Sequence, residues 1–137
     1  MAAVLSKSVA GVTIPDSALC NAAVALLESS SPEFLCAHCI RTYIFGSLAV
    51  RGLNRRVEDD EAAFCAAALH DLGLVPPYRR DNRFEIDGAD AARQFCLKHH
   101  VPAERTDLVW EAIALHTSPA SQLAWETRLH WFILAQG

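Results

Sequence analysis

Glu58-Asp59-Asp60-Glu61-Ala62-Ala63-Phe64-Cys65-Ala66-Ala67-Ala68-Leu69-His70-Asp71-Leu72-Gly73 is the stretch on which the fold turns. Its four leading acids suit the positive end of a helix dipole. The Ala-rich run that follows has the highest intrinsic helix propensity in the chain, and Gly73 is a natural stop. The pattern predicts a helix over 58–72 whose small side chains let neighbouring helices come close. That helix ends in His70-Asp71. An imidazole and a carboxylate at such a contact are costly to bury unless something charged holds them. A divalent cation does so, because neutral His nitrogen and carboxylate oxygen both bind Zn²⁺, Fe²⁺ or Mn²⁺. The other reading of the doublet is a polar C-terminal turn.

Upstream, Asp16 is placed to cap a first helix running through Leu27 and Glu28, which Ser29-Ser30-Ser31 breaks. Ser31-Pro32 then starts a second helix, since Ser accepts backbone N–H bonds and Pro fits the first helical position. This helix runs to about Val50 and ends near Gly52. Phe34, His38, Arg41, Phe45 and Leu48 recur on it at three- and four-residue steps and share one face. Apolar at both ends, that face is expected to be buried, with an imidazole and a guanidinium side by side against the core. His38 on such a face reads equally as a hydrogen-bonded core histidine. Cys36 and Cys39, three apart inside the same helix, read as packing.

Downstream, Pro76-Pro77 and Asp81-Asn82 mark residues 74–86 as a loop. A fourth helix starts at Asp87 or Gly88 and reaches about His99, with His99-His100 as its cap. A fifth runs from Pro102 to His116, Pro119 breaks it, and a sixth extends from about Ser121 to the end. His116 follows Val109 and Ala112 on one face, where it is either a core histidine or a site residue. Three helices thus each deliver a histidine near an apolar face. Residues 1–15 read as an N-terminal arm with weak hints of strand, and 16–137 as one all-α bundle of about six helices.

Composition sets the outer limits. A chain of 137 residues fits one domain. With 52% hydrophobic and 20% charged residues it is a folded globular chain rather than a disordered one. A net charge of −4 argues against a nucleic-acid surface, which needs clustered Lys and Arg. Arg55-Arg56 and Arg79-Arg80 are the only basic doublets and read as solvated loops. Five cysteines, an odd number, imply no complete disulfide framework. No apolar run is long enough to span a membrane, no secretory signal is read at the start, and a cytoplasmic setting is expected.

Taken together, His38-Cys-Ile-Arg41-Thr-Tyr43-Ile-Phe45-Gly46, Ala67-Ala68-Leu69-His70-Asp71-Leu72-Gly73, Arg83-Phe84-Glu85-Ile86-Asp87-Gly88-Ala89-Asp90 and Trp110-Glu111-Ala112-Ile113-Ala114-Leu115-His116-Thr117 resemble the HD-domain superfamily, named for its His…His-Asp…Asp metal set. More narrowly they resemble its cyanamide hydratase-like branch. The resemblance spans roughly residues 16 to 118. It implies that His38, His70 and Asp71 hold one divalent metal, zinc or iron first and manganese next. It implies that His116 lies in or beside the active site, and that Arg41 and the stretch from Phe84 to Asp87, Phe84 first, lie near the substrate pocket. The family also supplies a late Asp on its last core helix. No Asp follows Asp107 here, so the expectation is a domain truncated at its C-terminus or a metal site without that ligand, with Glu126 or His130 as the substitutes at hand.

The function expected is a metal-dependent hydratase or hydrolase acting on a small polar molecule, as in water addition to a nitrile. His116 is expected to handle protons in preference to Asp71, which also serves as a ligand. One alternative is a phosphohydrolase of a nucleotide or phosphate ester, chemistry that needs basic groups to hold phosphate and finds only Arg41 well placed. The other is a catalytically inactive helical binding domain. The expected partner is a small molecule, with no nucleic acid and no membrane, and self-association into a homo-oligomer is open.

Overall fold

The helix predicted from the Ala-rich stretch is the axis about which the others are arranged. The computed structural model describes residues 8–116 other than 53, 55, 56 and 58. Among these, five α-helices follow a short hairpin: α1 Ala18–Ser30, α2 Glu33–Gly52, α3 Asp60–Leu69, α4 Phe84–Lys98 and α5 Ala103–Ala114. A 3-10 turn, Leu72–Leu74, follows α3. Every residue of α3 from Ala62 to Leu69 is 3% exposed or less. A helix apolar all round belongs in the interior, and α3 accordingly packs against α1, α2, α4 and α5. The class is all-α. The predicted sixth helix, with Glu126 and His130, and the Arg55-Arg56 doublet lie outside the described residues. No described helix is long and apolar enough to cross a membrane.

Local chemistry explains where the elements begin and end. The N-terminal arm is a hairpin, β1 Ser8–Val9 paired with β2 Val12–Thr13. Its two loop residues, Ala10 and Gly11, both have positive φ, the backbone that matches the twist of a tight hairpin. Arg51 donates to the Gly11 carbonyl and ties the hairpin to α2. The cap of α1 is Ser17, whose hydroxyl accepts the Cys20 N–H, and Asp16 instead accepts from the Asn21 side chain. Ser29 and Ser30 do not break α1. Their hydroxyls donate to the Leu26 carbonyl at 3.0 and 2.6 Å, so both stay within the last helical turn. Asp59 caps α3 by accepting the Ala62 N–H, and also takes both arms of the Arg105 fork from α5 at 2.8 and 2.7 Å. Both histidines after α4 sit at its end as expected. His99 is the C-cap and stacks on Phe95, and His100 turns the chain with φ of 60°.

Two expectations about faces and ends are corrected. The buried residues of α2 are Leu35, Cys39, Thr42, Tyr43, Ile44, Gly46 and Val50. Phe34 is 75% and Phe45 58% exposed, and Arg41 is exposed. The two faces share one helical period and are offset by a residue, and the polar Thr42 and small Gly46 weaken the inward pattern in the sequence. Tyr43 meets Phe64 of α3 edge-on at 5.2 Å, which fixes the inward face. Helix α4 begins at Phe84, not at Asp87 or Gly88. The Arg83 carbonyl already accepts from Ile86 and Asp87 N–H, and Asp87 folds back to accept the Arg80 N–H at 2.6 Å.

The 3-10 turn and α4 meet backbone to backbone. A Cβ on Gly73 would fall inside the Phe84 carbonyl oxygen, 2.7 Å from its carbon and 2.9 Å from the Gly88 nitrogen. A Cβ on Gly88 would stand 3.1 Å from the Gly73 nitrogen and 3.4 Å from the His70 carbonyl oxygen. Only glycine permits this approach at Gly73. Gly73→Ala is therefore expected to destabilise the fold by roughly 3 kcal/mol through overpacking against rigid backbone. Urea unfolding measures it, and a change near zero would show that α4 slides away freely.

Candidate metal centre

Adjacent residues on a helix point about 100° apart and do not face each other. His70 and Asp71 nevertheless meet, with His70 Nε2 3.2 Å from Asp71 Oδ2. They do so because α3 stops at Leu69 rather than running to Leu72. His70 keeps right-handed helical angles as C-cap, Asp71 turns away at φ −105° and ψ 14°, and the 3-10 turn begins. The broken helix is thus what makes two consecutive residues converge.

The other histidines arrive from the flanking helices. His38 of α2 places Nε2 3.3 Å from the same Asp71 Oδ2, and His116, just past α5, places Nε2 3.9 Å from Oδ1. The rings of His38 and His116 lie 5.3 and 5.0 Å from that of His70. The histidine side chains differ in exposure: His70 is 1% exposed, His116 4% and His38 49%. Asp71 lies at the centre, and His38 stands at the open edge.

Two backbone carbonyls set the tautomers. His70 Nδ1 lies 2.7 Å from the Ala67 carbonyl oxygen and His116 Nδ1 2.6 Å from that of Ile113. A carbonyl only accepts, so Nδ1 of each ring carries a proton and donates it. Each Nε2 is left facing the Asp71 carboxylate, the orientation that such a hydrogen bond gives a metal-ligating histidine.

The electrostatics follow from burial and charge. Burial disfavours the His70 imidazolium, but the hydrogen bond from Asp71, then contact with Cys39, outweigh it and raise the pKa to about 10. Burial pushes the Asp71 carboxyl up, but the hydrogen bond and charge of His70, then His116 and His38, hold it below the ordinary carboxylate range. Burial keeps His116 below the usual imidazole value, and the neighbouring His70 charge adds to that. Without a cation, therefore, His70 holds a proton on Nε2 that Asp71 accepts.

His38, His70 and Asp71 each offer a ligand atom, all within 4.8 Å of one another. Tetrahedral ligands at 2.0–2.2 Å from a cation stand roughly 3.4 Å apart, close to the 3.2 and 3.3 Å found between the imidazole nitrogens and Asp71 Oδ2. The donor set, one carboxylate with two imidazoles, suits zinc, iron or manganese. The residues present fit a divalent cation.

The sequence-predicted residues His38, His70, Asp71 and His116 are thus brought together, and Phe84 joins them with its ring 5.7 Å from that of His116. Arg41 is not buried beside His38. It stands exposed, without a partner among the described residues. Glu85, within the stretch 84–87 that the resemblance places near the pocket, is 5% exposed in the first turn of α4 and acts electrostatically on His116. An acid in a first helical turn reads as a dipole complement, so nothing local distinguishes it. Cys39 is wholly buried and all five cysteines are free, in keeping with packing.

The HD domain family's model matches residues 35–129, more than half of the chain. No curated protein and no solved structure matches it. The family match includes His38, His70, Asp71, Phe84 and His116, and it does not reach down to the cyanamide hydratase-like branch.

A cation entering this site displaces the His70 Nε2 proton. Because that proton is held up to about pH 10, metal affinity rises as pH rises, by about tenfold per unit for one displaced proton. Competition against a chelator between about pH 6 and 8 measures the slope. A flat profile would show that His70 is not a ligand.

Proposed function

The chain belongs to the HD domain family, and from that membership we propose that it is a metal-dependent hydrolase or hydratase acting on a small polar molecule. Membership itself points to metal-dependent hydrolysis. The observation that carries the finer reading is the convergence of three imidazole Nε2 atoms on the two oxygens of one buried carboxylate, Asp71.

His38, His70 and Asp71 would hold the cation, zinc or iron by the donor set. Bound there, it would supply Lewis acidity that activates water near neutral pH and polarises the electrophile. The protein's own groups do the rest. Asp71 Oδ2 is shared by His38 and His70, so this carboxylate is a ligand more than a base. His116 has its Nδ1–H committed to Ile113, and burial keeps the ring neutral. Its Nε2, 3.9 Å from Asp71 Oδ1, is the ring atom that would take a proton from attacking water and return it to the product nitrogen. For a nitrile the balance is addition of water across the C≡N bond to give an amide, or urea when the nitrile is cyanamide.

A phosphate-ester substrate is the second reading. Arg41 and Arg83 favour it, since neither guanidinium has a partner among the described residues. Both are exposed, however, and a charge pair at 4 Å is worth about 1 kcal/mol in water against about 4 kcal/mol at an effective dielectric of 20. The balance favours an uncharged molecule.

The test is turnover of cyanamide and small nitriles against p-nitrophenyl phosphate by the metal-loaded chain. His116→Ala is expected to lower kcat by about 10²- to 10⁴-fold at unchanged metal content. Full turnover in that variant would remove His116 from the proton path. Turnover of the phosphate ester alone would establish the second reading.

A further inference from the structure

We propose that Phe84 limits the size of the molecule this site accepts, restricting it to compact, uncharged compounds of few atoms. The inference rests on the metal-dependent reading above. The described aromatic side chains fall into three groups. Tyr43, Phe64 and Phe95 lie in the core, Tyr78 and Trp110 are half-buried and packed against it, and Phe34 and Phe45 are exposed. Phe84 fits none of them. It is half-buried, yet it is not among the partly buried apolar side chains that pack on the core. Its ring contact is His116, met edge-on at 5.7 Å and 77°. A large apolar ring placed against His116, with no part in the core that the described residues form, is positioned to serve as a wall of the site.

The wall is braced from behind. The Phe84 carbonyl lies against Gly73, two residues after the proposed ligand Asp71, at a contact too close for a Cβ. The Phe84 backbone thus cannot draw back without moving the turn that carries Asp71. Its ring stands against His116, whose Nε2 is itself 3.9 Å from Asp71 Oδ1. Apolar walls discriminate by size, and each methylene they exclude changes relative affinity by about 10- to 200-fold. Such a site admits a nitrile-sized molecule and excludes a nucleotide.

The experiment titrates the zinc-loaded full-length chain with imidazole and with 4-phenylimidazole, two uncharged metal ligands differing in size. The wild-type chain is expected to bind imidazole the more tightly. Phe84→Ala shifts the ratio of dissociation constants at least tenfold toward 4-phenylimidazole, and Phe84→Leu, which keeps an apolar side chain and guards against loss of fold, shifts it less in the same direction. An unchanged ratio in folded, zinc-bearing variants overturns the size limit alone. So does weaker binding of 4-phenylimidazole after truncation, which would mean that the ring attracts rather than excludes. A wild-type chain that takes up no zinc overturns the metal-dependent reading and this inference with it.

Discussion

The early end of α3 is the constraint on which everything else at the site depends. An unbroken helix through Leu72 would splay His70 and Asp71 about 100° apart. Stopping at Leu69 and turning through a 3-10 segment folds both side chains toward one point. The turn is held from outside by α4, whose Phe84 and Gly88 approach Gly73 with no side chain between the backbones. Alanines along α3 permit the other close contacts, so the doublet is delivered into the interior, where His70 is 1% exposed.

Burial then dictates the chemistry. A carboxylate and two imidazoles, those of His70 and His116, in a water-poor space are unfavourable unless their charges and hydrogen bonds are satisfied. Here the backbone does part of that work. The Ala67 and Ile113 carbonyls take the Nδ1 protons of His70 and His116, and every Nε2 is left toward Asp71. The remaining imbalance is the proton on His70, which a divalent cation would replace. His38, half-exposed at the rim, is the side chain of the cluster that a cation or substrate from solvent would meet first.

Much of this was legible in the residues. The Ala-rich run with its acidic start gave α3, Ser31-Pro32 gave the start of α2, and the His-Asp doublet with two further histidines marked the site. The missing parts are those that depend on partners distant in sequence. Nothing local shows that α2 is rotated by one residue, which leaves Phe34, Phe45 and Arg41 in solvent, because both candidate faces have the same period. The start of α4 at Phe84 depends on Gly73, eleven residues earlier, accepting its carbonyl at close range. The hairpin depends on positive φ at Ala10, a residue that seldom adopts it. By its local pattern Glu85 looks like any acid at a helix start; the resemblance set it near the pocket, and the fold adds its burial.

The central claim is that His38, His70 and Asp71 form a real metal site. It is tested most directly by purifying the full chain without chelator and counting bound metal by elemental analysis, with His70→Ala as the control. About one equivalent of zinc, iron or manganese, lost in the variant, is the predicted result. No metal in either protein would contradict the account and leave the buried cluster as the interior of a binding domain.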